Sequence, residues 1–347
     1  MLDVETLRRD LEPFAGELDR VGSSPADAFA RIADAGLTRL GIPTVFGGEP
    51  VTPAGRAELY EHLAAACLTA AFVLTQRDAA VSRLLKSDNE PLRSELLPRL
   101  AANELTATVG ISHLTTSRRH VGRPVVTARL DGARIVLDGE VPWSTGAGWA
   151  DLILTGATLE DGRELLVFVP SDAAGVTIPP PPPLLAMNGS ATTTVTLDGV
   201  EIAADRIVAG PTEGVLAGGA GSVTTSALAV GAARGAIERL RDEADHRDDL
   251  VEAADRLDSE RRQISADIAA VAAGDAPAIV TAASIRERAN SLAVRSAQSL
   301  MAASKGAGFV AGHPAERLVR EAMFFLVWSC PQPVMAANLR EFACLAE

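Results

Sequence analysis

The chain has 347 residues, of which 47% are hydrophobic, and its formal net charge is −13. This length suffices for two or three compact units with buried cores, whereas the negative charge argues against nucleic acid, whose phosphates need a basic surface. The sequence has no run of about 18 apolar residues, and its first residues are not a basic segment followed by an apolar one. It therefore predicts neither a membrane span nor a signal peptide. Three cysteines without metal-ligand spacing, Cys67, Cys330 and Cys344, suit a reducing, cytoplasmic location.

The predicted elements form three successive groups. Residues 7–105 show apolar and charged residues at helical spacing. Short runs rich in β-branched residues and separated by Asp-Gly turns then predict strands at 125–130, 134–137, 152–155, 165–169 and 192–197. The helical spacing returns over 223–246, 249–273 and 277–304. The sequence therefore predicts helices, then a small antiparallel barrel or sandwich, then a helical bundle, with domains at 1–105, 106–208 and 209–347.

The most specific motif lies near the carboxyl end. Residues 306–308 read Gly-Ala-Gly, residues 313–317 read His-Pro-Ala-Glu-Arg, and residues 320–322 read Arg-Glu-Ala. This order resembles the C-terminal signature of the acyl-CoA dehydrogenase family, and residues 187–206 resemble the closing strands of that family's β-domain. The resemblance implies an α+β fold with an N-terminal helical domain, a middle antiparallel β-barrel or sandwich, and a C-terminal four-helix bundle.

The same segment departs from the family at the catalytic base. Counted without gaps, the position of the family's glutamate falls on Ser329, and a serine hydroxyl is far too weak a base to remove a substrate α-proton unaided. Some family members place the glutamate on an earlier helix, but that position falls near Gly221 and Ser222. The resemblance therefore implies a divergent member that lacks the usual base.

A second motif points to a flavin. Residues 137–147 read Leu-Asp-Gly-Glu-Val-Pro-Trp-Ser-Thr-Gly-Ala, which is similar to the family's segment at the flavin ring. The resemblance implies that Trp143 lies against the isoalloxazine, that the Thr145 hydroxyl approaches flavin N5, and that Ser144 is a further contact. A flavin ring does need an aromatic or apolar face and well-placed donors, although a lone tryptophan at a strand end also fits an ordinary core position.

The loop that wraps the flavin in the family is not preserved. Gap-free counting places residues 112–120, Ser-His-Leu-Thr-Thr-Ser-Arg-Arg-His, at that loop. His113 and Thr115 then become candidate flavin contacts, and the arginines Arg118 and Arg119 are suited to a phosphate. A solvated basic loop on an acidic protein is the alternative interpretation.

For the FAD phosphates the family uses an arginine turn and a glycine-rich segment of the neighbouring subunit. Here Arg247 falls at the arginine, and Lys305, Gly306 and Gly308 fall in the glycine-rich segment, while Asp258 stands where the family has a glutamine. Cations attract a pyrophosphate and carboxylates repel it. The resemblance thus implies FAD, with FMN or reduced flavin as alternatives, and a homodimer or homotetramer whose site is shared between subunits.

Three functions are compatible with these residues. The first is an FAD-dependent oxidoreductase acting on CH-CH donors of a small substrate such as an acyl-CoA. The second is a monooxygenase of the same superfamily, supplied with reduced flavin by a flavin reductase, in which Ser329, Ser144 or His113 would stabilise the oxygen adduct. The third is a non-catalytic relative retained for binding or assembly.

Overall fold

The computed structural model describes residues 3–115, 124–216, 223–328 and 330–345. Its first part is helical, as the spacing predicted. Leucine and alanine repeats bury these helices in two apolar clusters, one shared with the last part of the chain and one shared with the middle part. The helices are α1 (Val4–Glu17), α2 (Ala26–Asp34), α3 (Pro53–Ala66), α4 (Leu68–Leu85) and α5 (Glu90–Ala101).

The middle part is a sheet of eight strands. They are β1 (Ala107–Gly110), β2 (Val126–Asp131), β3 (Arg134–Ser144), β4 (Leu152–Leu159), β5 (Glu164–Pro170), β6 (Val176–Thr177), β7 (Thr193–Ala203) and β8 (Ile207–Thr212), with a short helix α6 (Ser112–Thr115) after β1. Strands β1 and β2 both pair with β4 in parallel, so the sheet is mixed, whereas the turn pattern predicted antiparallel pairing throughout. Parallel pairing needs a crossover rather than a tight turn, and Asp-Gly spacing carries no signal for one.

The last part is again helical, with α7 (Thr224–Ala244), α8 (Val251–Ala273), α9 (Ala282–Gly308), α10 (Pro314–Val327) and α11 (Gln332–Phe342). Within the described ranges there are thus five helices here, one more than the predicted four-helix bundle. Strand β8 runs past residue 208, and the domain limits themselves stay predictions. No helix of the described residues is long and apolar enough to cross a membrane.

Two glycines let the first and last helical parts approach closely. A Cβ atom added at Gly231 of α7 would lie 2.4 Å from the Glu61 carbonyl oxygen of α3, and one added at Gly235 would lie 2.6 Å from the Ala65 carbonyl oxygen. Any larger residue at either position would therefore clash with the backbone of α3. This contact joins the two helical parts into one apolar core.

The charged residues of the C-terminal signature hold α10 in that core. Arg317 and Glu321 form a buried ion pair of 2.8 Å, with side chains 10% and 2% exposed. Arg320 binds Asp19, at the end of α1, at 2.6 Å and Glu316 at 2.7 Å. Burial raises the pKa of the Glu321 carboxyl, and the Arg317 guanidinium opposes that rise. The signature is thus occupied in packing α10 rather than in presenting free catalytic groups.

We expect the Arg317 pair to matter far more than a surface pair. In Glu321→Ala the buried guanidinium loses its carboxylate, and breaking a buried pair costs about 3–5 kcal/mol. The control is Glu201→Ala, which removes a pair with Arg134 whose side chains are 57% and 69% exposed, and which should cost about 0–1 kcal/mol. Urea unfolding followed by circular dichroism measures both. Equal losses in the two variants would contradict the assignment of a buried charged pair.

Candidate functional site

The end of strand β3 presents a tryptophan on a strained backbone. Trp143 has a φ of 56°, a conformation rare for a bulky side chain, and its side chain is 61% exposed. The pairing register with β7 shifts between Val141 and Ser144, and such a bulge re-aims a side chain. The backbone therefore holds the indole outward, where a flat ligand could lie against it.

Behind this tryptophan is a buried chain of hydroxyl groups. The Thr145 hydroxyl lies 3.0 Å from that of Thr192, which lies 2.8 Å from that of Ser190. Thr108 donates to the Thr145 carbonyl at 2.6 Å. Ser144 is fully buried and donates to the Val141 carbonyl at 3.3 Å. Both predicted hydroxyl contacts, Ser144 and Thr145, therefore brace the turn from inside the protein.

Helix α6 brings the predicted loop residues beside the same turn. Ser112 donates to the carbonyl of Pro142, the residue before Trp143, at 3.0 Å. His113 Nε2 lies 3.0 Å from the Gly156 carbonyl, so this nitrogen carries the proton, and its buried Nδ1 has no partner. Burial lowers the pKa of the His113 imidazole. Thr115 is the last residue of α6, and Arg118 and Arg119 lie outside the described residues.

The predicted phosphate contacts meet at the end of α9. Arg247 donates to the Ala303 carbonyl at 2.7 Å and pairs with Asp249 at 3.3 Å. Lys305 has a φ of 52° and a ψ of −142°, which breaks the helix there, and its side chain is exposed. The fold thus gathers these two cations in one corner. No hydrogen bond or ion pair between described residues joins that corner to Trp143 or Thr145.

The two glycines of that corner differ in their surroundings. Gly306 is exposed, with no atom within 4 Å of where a Cβ would lie. Gly308 is buried, and an added Cβ would lie 2.7 Å from the Ser304 Cβ and 3.4 Å from the Ala315 Cβ. Gly308 is therefore needed for packing α9 against α10, whereas Gly306 leaves open surface beside Lys305. Asp258, at the family's glutamine position, is tied up in ion pairs with three arginines, Arg241, Arg261 and Arg262.

Ser329, the predicted position of the family's base, lies outside the described residues, as do Gly221 and Ser222. Before it, Trp328 stacks on Phe324 with ring centroids 5.0 Å apart and meets Phe72 of α4 edge-on at 4.6 Å. After it, burial raises the pKa of the Cys330 thiol, although Arg286 opposes the rise. His313 caps α10 by accepting from the Ala315 amide at 3.1 Å.

Several residues of this region escaped the sequence analysis. The turn that follows Trp143 is bound by Thr108 of β1 and by Ser190 and Thr192 before β7. The sequence spacing of these residues does not predict that they meet. Arg286 and Asn290, which bind the end of α10, sit in an ordinary helical pattern. Among the residues that the structure describes, no group of three or more histidine, cysteine and acidic side chains is arranged to hold a metal ion.

The exposed indole, the buried hydroxyls behind it and the helix–sheet–helix order define the class as acyl-CoA dehydrogenase-like. Residues 4–104 match the family model "Acyl-CoA dehydrogenase, N-terminal domain". The probable acyl-CoA dehydrogenase YngJ of Bacillus subtilis is 25% identical over 243 residues, which is 67% of this chain and 63% of that protein. The family model, the curated relatives and the fold together support membership of the acyl-CoA dehydrogenase family.

Solved structures agree on the fold. The glutaryl-coenzyme A dehydrogenase complex with glutaryl-CoA superimposes with a TM-score of 0.83 at 16% identity, covering 100% of this chain and 96% of that one. FMN-bound TdsC from Paenibacillus sp. A11-2 superimposes with a TM-score of 0.81 at 19% identity. The match covers 99% of this chain and 96% of the TdsC chain. The same protein is described as a dibenzothiophene monooxygenase. The predicted family and fold are confirmed.

The neutral state of His113 predicts a pH dependence of stability. A histidine has a pKa of about 6.5 in an unfolded chain, and burial lowers it in the folded state. The unfolded chain therefore binds a proton first as the pH falls. The free energy of unfolding should decrease below pH ~6.5, and His113→Gln should weaken that decrease.

Urea unfolding at several pH values tests this prediction. His246→Gln, at an exposed histidine, is the control and should follow the parent protein. An unchanged pH dependence in His113→Gln would show that His113 is not held neutral by its burial.

Proposed function

We propose that the protein is a flavin-dependent oxidoreductase of the acyl-CoA dehydrogenase type, with FAD as its cofactor. The observation that carries the proposal is Trp143, whose indole is 61% exposed on a backbone with positive φ. Strained residues of this kind cluster at functional sites, and the family motif has a flavin at this position. A bound flavin would supply a ring that accepts a hydride or, once reduced, reacts with oxygen.

The residues of this chain fit such a group in part. Trp143 offers the aromatic face, while Lys305 and Arg247 offer positive charge for phosphates. Asp249 reduces that charge, since it pairs with Arg247 at 3.3 Å. His113 and Thr115 remain proposed contacts on α6. The fit favours FAD but leaves FMN, which TdsC binds, as a cofactor to test.

The likeness of the monooxygenase TdsC favours a second candidate function. A member with serine at position 329 has no general base there, whereas monooxygenation needs none at that place. In this alternative the protein receives reduced flavin from a reductase and uses it to oxygenate a small molecule. The acyl-CoA dehydrogenase hypothesis names an acyl thioester as substrate instead, and under either hypothesis we propose a cytoplasmic location.

The first test is whether Trp143 contributes to flavin binding. Trp143→Ala should weaken flavin affinity about two- to tenfold, because aromatic stacking contributes about 0.5–1.5 kcal/mol beyond buried area. Trp143→Phe keeps an aromatic face and is the matched control. Fluorescence titration with FAD and with FMN measures both. Equal affinity in Trp143→Ala and the parent, or no binding in either, would contradict the proposed site.

Two assays on the flavin-loaded protein separate the functions. Without a general base, which contributes about 10²–10⁴-fold, a straight-chain acyl-CoA should bleach the flavin anaerobically only at a trace rate, and Ser329→Glu should raise that rate. Oxygen consumption by the reduced form would favour the monooxygenase. Rapid anaerobic bleaching of the parent protein would show that its base lies elsewhere.

We also propose a symmetric homodimer or dimer of dimers. Phe309 and Val310, directly after the Lys305 corner, are 86% and 61% exposed. Apolar surface of this kind marks association sites, and a partner there would cover the corner and complete a site shared between subunits. Permanent homodimers bury more than about 2,000 Å² in total.

Sedimentation velocity at micromolar concentration tests the assembly. The parent should sediment as a dimer or tetramer, and Phe309→Asp should shift it toward the monomer because a charge would be buried in the interface. Ile279→Asp is the control, since Ile279 is equally exposed, at 85%, in the loop before α9. A parent protein of 36.1 kDa in solution would exclude the shared site.

A further inference from the structure

The C-terminal end of α10 is held by three buried polar side chains, which we name the α10 clamp: Arg286 and Asn290 of α9 and Asn338 of α11. Arg286 donates to the Trp328 carbonyl at 2.9 Å and to the Phe325 carbonyl at 3.4 Å. Asn290 donates to the same Phe325 carbonyl at 3.0 Å and to the Asn338 side chain at 3.2 Å. The clamp thus satisfies carbonyls that have no partner within the helix.

Arg286 is a buried arginine that binds only uncharged groups among the described residues, which is unusual for a purely structural contact. Its side chain is 5% exposed, and no carboxylate of the described residues forms an ion pair with it. Burial lowers its pKa to about 10, so it is still charged at neutral pH. A buried charge without a carboxylate partner is costly, and among the described residues the carbonyl dipoles at the end of α10 and the Cys330 thiol oppose that cost.

Resting on the proposed function, we propose that Arg286 is a positioning residue for Trp328 at the C-terminal end of α10. The guanidinium binds two carbonyls three residues apart, one within the helix and one just beyond it, so it fixes the direction in which the chain leaves α10. A longer-range contact through Asn290 and Asn338 ties the same helix end to α11. Neither asparagine of the clamp donates to the Trp328 carbonyl, so within the clamp Arg286 alone holds that carbonyl.

What Arg286 positions is visible in the neighbouring rings. Trp328 stacks on Phe324 at an interplanar angle of 16° and meets Phe72 edge-on. This aromatic group joins the end of α10 to α4, and in the sequence it directly precedes Ser329, the predicted position of the family's base. If the Trp328 backbone were released, the stack would lose its alignment, although the helices themselves would keep their apolar cores.

The primary experiment uses the apoprotein and needs no cofactor. With Trp143→Phe and Trp149→Phe in place, Trp328 is the sole tryptophan of the chain, so fluorescence reports on it alone. In this background Arg286→Met should shift the emission to longer wavelength and increase quenching by iodide. Arg286→Lys, which keeps the charge and a donor, should retain most of the parent emission.

The matched control is Arg288→Met on the same helix, since Arg288 pairs with Asp267 at 2.5 Å and, among the described residues, forms no hydrogen bond with the clamp. It should leave Trp328 unchanged. If Arg286→Met does not fold, as judged by circular dichroism, Arg286→Gln takes its place because it also removes the charge. Unaltered Trp328 emission in a folded variant without the charge would overturn the proposal.

A second readout uses the flavin-loaded protein with its tryptophans intact. The rate measured is that of whichever of the two flavin reactions above the parent protein catalyses faster, bleaching by an acyl-CoA or oxygen consumption by the reduced form. Arg286→Met should lower kcat for that reaction on the order of 10²-fold, as expected from a misplacement of about 1 Å, while the Kd for flavin stays the same. Arg286→Lys should restore most of kcat. If the protein binds no flavin, the proposed function fails while the fluorescence result still decides the role of Arg286. Equal loss of kcat in Arg286→Met and Arg288→Met would contradict positioning.

Discussion

The architecture depends on how arginines anchor helix α10 at its middle and at its C-terminal end. At mid-helix, Arg320 reaches Asp19 at the end of α1 and the Leu185 carbonyl before β7, so one side chain joins the first helical part, the segment before β7 and the last helical part. Near its end, Arg286 holds the Phe325 and Trp328 carbonyls. Arg320 binds the Asp19 carboxylate through both terminal nitrogens, a geometry that the planar guanidinium favours, whereas one terminal nitrogen of Arg286 serves both carbonyls. The position of α10, in turn, sets where Trp328 lies.

The second constraint is the mutual support of two strained segments. Trp143, Met187 and Ala191 all have positive φ although none is glycine, and each such residue costs of order 1–3 kcal/mol unless its surroundings hold it. They hold each other: the Gly146 amide donates to the Ser190 carbonyl at 2.8 Å, and Thr145 meets Thr192. The Gly189 amide donates to the Leu18 carbonyl at 2.6 Å. The exposed indole is therefore a product of the whole arrangement around residues 187–192.

Local patterns predicted the elements well and their long-range contacts poorly. The helix start at Pro314 follows from a proline at the first turn with His313 as its cap, and β4 and β5 stand where β-branched runs placed them. Strand β1 was missed because four residues, Ala-Thr-Val-Gly, are too few to show a period. Arg286 was missed because its partner lies 42 residues away, and helical spacing carries no information about what a charged side chain meets across the core. The assignment of Ser329 to the position of the family's base stays a prediction.

The contacts of the signature explain why it identifies the fold more securely than the reaction. The charges of Arg317, Arg320 and Glu321 form ion pairs that hold α10 in place. Substitution at any of the three is therefore expected to destabilise the fold, whatever reaction the protein catalyses. The resemblance assigns the family's base to one side chain outside these pairs, and the sequence has Ser329 at that predicted position. A chain can therefore keep the whole signature while its reaction changes, because selection for a stable α10 and selection for proton abstraction act on different residues.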